Sequence, residues 1–167
     1  MKIISLIGLS GSGKTKFILD AIKLLKKERD YDVAVIKNIH EHQIDEKGKD
    51  SYMYAEMGAH YSITKNIYNE TTIFLKKKIT IEDLKEWILN GPFKTDIIFT
   101  EGFRDLNYPT VLCLKNLEEL KSQLNKNVKV ISGVICSLNL IDKVNSKIPI
   151  IDIEKDFNKF LEIFNIN

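Results

Sequence analysis

At 167 residues, 44% of them hydrophobic and 29% charged, the chain suits one compact globular domain with a sizeable buried core. Its net charge of +2 comes from lysines interspersed with acids, which argues against nucleic acid as a main partner. No apolar run approaches the ~18 residues of a membrane span, so no membrane association is expected.

Ile3-Ile4-Ser5-Leu6-Ile7 is short, β-branched and closed by Gly8, which predicts a buried strand. Phe17, Ile18, Ala21, Ile22, Leu24 and Leu25 then recur at helical spacing, predicting a helix to about Arg29. Asp32 to Lys37 predicts a second strand, and strand, helix, strand over so short a stretch is a βαβ unit with parallel strands. The polar stretch from Asn38 to Asp50 reads as a loop, and Ser51 to Met57 as a short helix stopped by Gly58. His60 to Lys65 and Thr71 to Leu75 read as two strands of a hairpin around Asn69-Glu70. Thr80 with Asp83 resembles a capping box opening a helix that buries Leu84, Trp87 and Ile88.

Ile97-Ile98-Phe99 is a further buried strand, and Thr110 to Leu114 another. Asn116 with Glu119 marks a helix start. Val128 to Ile135 predicts a strand, Ile148 to Ile151 a shorter one, and Phe157, Phe160, Leu161 and Phe164 stripe a final helix. Cys113 and Cys136 sit in apolar runs without C-x-x-C or Cys/His pairing, so they read as reduced core thiols of a cytoplasmic protein. No signal-peptide pattern is expected, since a glycine-rich loop begins almost at once. The pattern predicts one α/β domain over residues 1–167, a mostly parallel sheet flanked by helices with a small β-hairpin extension.

Gly8-Leu9-Ser10-Gly11-Ser12-Gly13-Lys14-Thr15 satisfies G-x-x-x-x-G-K-[ST], between a predicted strand and a predicted helix. A triphosphate needs several N–H donors converging on it, and a tight glycine-rich turn aims consecutive amides inward. The helix N-terminus adds free amides and partial positive charge. Ser10, Gly11, Ser12, Gly13, Lys14 and Thr15 are therefore the candidate nucleotide-binding residues. Lys14 is expected on the β- and γ-phosphates and Thr15 on Mg²⁺. This context predicts a P-loop NTPase fold.

Such a site also needs a carboxylate at the end of a neighbouring strand. Asp96-Ile97-Ile98-Phe99-Thr100-Glu101-Gly102 offers two. Glu101 lies at the C-terminal end, where ligands bind in open parallel sheets. It is favoured for magnesium or water positioning, and the alternative is a polar residue that merely ends a strand. Asp96, at the strand's entry, would only cap or solvate. Arg104 could pair with phosphate or lie exposed on a loop. In the middle of the chain, His40, Glu41, His42 and Asp45 could form a metal site or a solvated loop, and Asp50 or Ser51 could be a helix cap.

Three blocks together resemble the MobB family of molybdopterin guanine dinucleotide biosynthesis. They are Gly8 to Thr15; Val35-Ile36-Lys37 with His40, Asp45 to Tyr52 and Gly58-Ala59; and Asp96 to Phe103. The chain departs from the family's usual pattern at His40-Glu41-His42, where two adjacent histidines are customary, and at Lys47, where a proline is. The resemblance implies a GTP-binding helper for the guanylyltransferase that attaches GMP to molybdopterin, with weak intrinsic hydrolysis and a homodimeric state. It also implies that Asp45 and Glu101 lie near magnesium, and that Gly48 to Ser51 form a mobile or partner-facing segment. Molybdopterin itself is left open as a further ligand.

Two other readings stand beside this adaptor. A GTP-driven metallochaperone of the nickel-insertion type shares the loop and the strand-end Glu, but usually displays dense His or Cys ligands, where this chain has three histidines and two isolated cysteines. A small-molecule or nucleotide kinase would clamp phosphates with several arginines, and only Arg29 and Arg104 are present. Guanine specificity has no Asn-Lys-x-Asp signature; Asn125-Lys126-Asn127-Val128 lacks the final acid. Ser137 to Asn139 follow a strand at a position suited to base contacts.

Overall fold

The structure is a computed structural model that describes residues 1–138 and 147–167. In chain order it contains β1 (Lys2–Ile7), α1 (Lys14–Arg29), β2 (Val33–Lys37), α2 (Asp50–Glu56), β3 (Ser62–Lys65), β4 (Thr71–Phe74), α3 (Ile81–Leu89), β5 (Ile97–Glu101), β6 (Thr110–Cys113), α4 (Glu119–Gln123), β7 (Val128–Ser132) and α5 (Phe157–Ile163). A 3-10 turn spans Val134–Leu138. The described residues group into two compact units, one of Met1–Asn38 with Gly91–Asn167 and one of Ile39–Asn90.

The first unit is a parallel five-stranded sheet in the order β2-β5-β1-β6-β7. Alternation along the strands divides the core between two faces, as a sheet covered on both sides requires. Ile4, Leu6, Val111, Cys113 and Val130 face Phe17, Ile18, Ala21 and Leu25 of α1 and Phe160, Leu161 and Phe164 at the C-terminus. Ile7, Leu112, Leu114 and Ile131 face the other way, against Ile135, with Leu117, Leu120 and Cys136 packed beside them. Phe160 closes the first face. It meets Phe17 edge-on at 5.8 Å and Phe164 at 5.0 Å, and it is fully buried. Burial pushes the Cys113 thiol up to about 12 and raises that of Cys136, so both stay protonated at neutral pH.

The second unit pairs β3 with β4 antiparallel, with Ile63 opposite Ile73. The turn between them is held by Asn66 Oδ1, which accepts from the N–H groups of Tyr68 and Glu70, and Asn69 takes a left-handed conformation. Thr80 and Asp83 form the expected capping box at the start of α3.

Three expectations are corrected. The strand predicted over Val128 to Ile135 ends at Ser132, because Gly133 at φ 97° turns the chain into the 3-10 segment. The strand predicted over Ile148 to Ile151 is a single parallel bridge, Ile131 to Ile150; Pro149 has no N–H to extend a ladder. The stripe of α3 is not deeply covered: Leu84 and Ile88 are half-buried, and Trp87 is 39% exposed with Tyr61 edge-on against it. A unit whose sheet has only two strands has little apolar surface to offer a helix.

The aromatic closure of the first face makes a direct test. Phe160→Ala is expected to cost about 3–5 kcal/mol in urea unfolding, against at most about 0.5 kcal/mol for Leu19→Ala on the exposed side of α1.

Candidate functional site

The glycine-rich segment leaves β1 and turns back across the ends of the neighbouring strands. At Gly8 (φ 144°) a Cβ would overlap the Cys113 carbonyl oxygen and stand 2.6 Å from Ser12 Oγ, so only glycine fits. Gly133, beyond β7, is the matching partner. Its own Cβ would overlap the Ser12 carbonyl oxygen, and that oxygen accepts from the Val134 N–H at 3.1 Å. The loop is thereby held by the end of β6 on one side and the turn after β7 on the other.

Gly13 begins α1 in a left-handed conformation and supplies no side-chain cap, and the first turn carries no acid. The first amides of α1 therefore point outward without an internal partner, an arrangement that suits an anion. Ser12 Oγ is fully buried and makes no hydrogen bond. Lys14 bends over the loop, its ammonium donating to the carbonyls of Gly8 at 3.0 Å and Leu9 at 2.9 Å.

The register of β1 against β5 sets Leu6 beside Glu101, so the first turn of α1 returns over the end of β5. Thr15 Oγ1 donates to Glu101 Oε1 at 3.0 Å. The same oxygen lies 3.5 Å from Lys37 Nζ at the end of β2, which offsets the cost of a carboxylate only 6% exposed. The Thr15 hydroxyl and the buried Glu101 carboxylate are hard oxygen donors, which fit magnesium beside a phosphate cradle. At the other end of β5, Asp96 accepts from the Asp32 N–H at 2.9 Å and pairs with Lys94 at 2.9 Å. These partners hold its carboxyl below the usual range, and its role there is that of a cap.

In the Ile39–Asn90 unit, Asp45 is nearly buried, and its Oδ2 makes no hydrogen bond. Oδ1 accepts from Ser51 Oγ at 2.9 Å and Oδ2 lies 3.3 Å from Lys76 Nζ. Lys76 also sits over the Tyr52 ring, 3.1 Å from its centroid. Asp50 and Ser51 lie in the first turn of α2 and neither caps it: the N-cap position is Lys49, with no side-chain cap. Among the described residues, no three His, Cys, Asp or Glu side chains are grouped to hold a metal ion.

Arg104 is exposed. Asn125 and Asn127 lie at the entry of β7, the sheet end opposite the glycine loop, where Asn127 Nδ2 donates to the Leu106 carbonyl at 3.1 Å. Ser137 is on the 3-10 turn with its hydroxyl on the Val134 carbonyl, and Asn139 lies outside the described residues. A cleft of about 450 Å³ between α1 and the start of α5, lined by Leu24, Arg29, Phe157 and Lys159 among others, contains none of the motif residues. Sequence reasoning did not single out Gly133 or the pairing of Lys37 with Glu101. The one available signal was an isolated glycine inside a strand pattern, which marks a bulge or close backbone approach.

A parallel sheet carrying this loop, with a carboxylate at the end of the adjacent strand, defines a P-loop nucleotide-binding protein. The chain belongs to the MobB family: residues 3–137 match the family described as Molybdopterin guanine dinucleotide synthesis protein B. It is 32% identical over 116 residues to the molybdopterin-guanine dinucleotide biosynthesis adapter protein of Haemophilus influenzae, covering 66% of this chain and 61% of that protein. A Methanocaldococcus jannaschii protein, provisionally described as the same adapter, is 31% identical over 121 residues, covering 70% of this chain and 48% of that protein. The chain thus spans about half to three-fifths of the length of these relatives. The fold is similar to the crystal structure of Bacillus subtilis MobB, with a TM-score of 0.75 at 21% identity and 100% coverage of both chains. It is also similar to a MobB homolog from Bacillus stearothermophilus, with a TM-score of 0.64 at 16% identity over 99% of this chain and 97% of that one. No described helix is long and apolar enough to cross a membrane.

The close approach at Gly133 separates steric fit from backbone strain. Gly133→Ala is expected to cost more stability than Gly102→Ala, where φ is also positive but a Cβ would meet Asn38 only at 3.5 Å. Strain alone is worth about 1–3 kcal/mol in either variant, and urea midpoints of the two read the difference.

Proposed function

We propose that the chain is a GTP- and magnesium-binding adaptor that assists attachment of GMP to molybdopterin, with a guanylyltransferase as its partner. The hydrogen bond from Thr15 to Glu101 carries this reading, because it joins the phosphate loop to a buried acid at the mouth of the sheet. In the proposed complex the amides from Ser10 to Thr15 hold phosphate oxygens, and Lys14 leaves its loop carbonyls for the β- and γ-phosphates. Thr15 and Glu101 hold magnesium directly or through water. The metal would neutralise phosphate charge and orient the terminal phosphoryl group. Asp45 is proposed as a further carboxylate toward magnesium, on family resemblance, and would have to exchange Ser51 or Lys76 to serve.

Slow hydrolysis is part of the proposal. Gln123 is buried in α4, and the chain's two arginines are both exposed. None offers itself as a water-positioning group or finger, parts that are together worth ~10³- to 10⁵-fold. GTP over ATP, the cytoplasmic location and the molybdopterin partner rest on the family; the two free thiols agree with a reducing compartment.

We also propose a homodimer. Ile63 and Ile73, paired across the β3–β4 ribbon, are 62% and 43% exposed, and Ile67 at the turn is 88% exposed. Such an apolar ribbon surface commonly marks an interface. Sedimentation equilibrium of the double variant Ile63→Asp with Ile73→Asp is expected to give a monomer where the parent gives a dimer; a parent that is itself monomeric would overturn this.

Calorimetric titration with Mg·GTP and Mg·ATP tests the central reading. GTP is expected to bind more tightly, and Lys14→Ala to weaken it by at least about tenfold. Preference for ATP would bring the kinase reading forward, and turnover of many GTP per second by the isolated chain would refute the adaptor.

A further inference from the structure

A second lysine stands over the glycine loop from a different strand. Lys115 follows β6 by two residues, and a Cβ built on Gly11 would meet its Cε at 3.3 Å and its Nζ at 3.5 Å. Gly11 is the middle of the loop, with a left-handed φ of 69°. Lys115 is exposed, and a hydrated ammonium on a four-carbon stem ordinarily extends into water or pairs with a carboxylate. Here it lies along the loop. Among the described residues no carboxylate comes within ion-pair distance of its ammonium.

The base of this side chain is fixed from both directions. The Leu114 N–H donates to Ser132, which ties the residue before Lys115 to β7. The Lys115 N–H itself donates to Glu119 Oε2 at 3.1 Å, while Asn116 Oδ1 accepts from the Glu119 N–H at 3.3 Å. Among the described residues, the carboxylate contact of Lys115 is thus spent on its backbone N–H, and the ammonium is left over.

We propose that Lys115 is a second phosphate-binding cation of the loop, meeting the nucleotide's phosphates from the side of β6 opposite to Glu101. The inference rests on the reading of residues 8–15 as a triphosphate cradle. A bound triphosphate carries several negative charges, and Lys14 alone is a single point charge against them. Lys115 supplies charge and a donor that acts on the phosphates and not on the base.

The test is titration of Mg·GTP and Mg·ATP into the parent chain, Lys115→Ala, Lys115→Arg and Lys14→Ala. Lys115→Ala keeps the backbone N–H and so keeps the bond to Glu119. It is expected to weaken both nucleotides by the same factor, about tenfold, with Lys115→Arg restoring most of the affinity. A fold role alone would not be rescued by arginine and would appear as a lowered melting temperature. If Lys14→Ala abolishes binding while Lys115→Ala stays within twofold of the parent, the proposal fails and the cradle stands. If Lys14→Ala binds as the parent does, the cradle reading fails and takes Lys115 with it. A loss confined to one of the two nucleotides would place Lys115 at the base and also overturn the proposal.

Discussion

Backbone approaches between residues 8–13 and the ends of β6 and β7 set the geometry on which the site depends. Gly8 lies against the Cys113 carbonyl, Gly133 against the Ser12 carbonyl, and that carbonyl takes the Val134 N–H. The hydrogen bond contributes only about 1 kcal/mol. The exclusion of side chains matters more, because a Cβ at either glycine has nowhere to go without moving a strand end. A loop held on two sides by packed strands has its amides arranged before any ligand arrives. That removes much of the ordering cost which binding would otherwise carry.

Strand polarity then assigns different work to two acids on one strand. Asp96 and Glu101 are the flanking carboxylates of the same apolar run. At the entry, Asp96 faces the Asp32 N–H and Lys94, and it acts as a cap. At the exit, Glu101 meets the hydroxyl of Thr15 and the ammonium of Lys37. All five strands run parallel, so every exit lies on one side of the sheet, and the helix start, the loop and the acid converge there.

The Ile39–Asn90 unit is organised differently. Its two-stranded sheet cannot cover an amphipathic helix, and α3 keeps Trp87 partly in solvent. A polar anchor takes the place of a deep core: Asp45 between Ser51 and Lys76, with Lys76 over Tyr52. Its four residues bring together the loop before α2, the first turn of that helix, and the segment after β4. So small a unit buries a limited share of its apolar surface, which agrees with the exposure of Ile63, Ile67 and Tyr68.

The amino-acid sequence by itself determined the elements and motifs whose information is local. The G-x-x-x-x-G-K-T run, the helical stripe from Phe17 to Leu25, the Thr80–Asp83 cap and the apolar run ending in Glu101 each lie within one segment, and all formed as read. Gly133 was hidden in a run of strand-like residues, and Pro149 shortened another, because periodicity does not register a turn imposed by a neighbouring backbone. The pairing of Lys37 with Glu101, the closure of the loop by Gly133 and the bend of Lys115 toward Gly11 depend on residues 64, 121 and 104 positions apart. Only the tertiary structure decided those, since it is the strand order β2-β5-β1-β6-β7 that makes neighbours of segments the chain keeps distant.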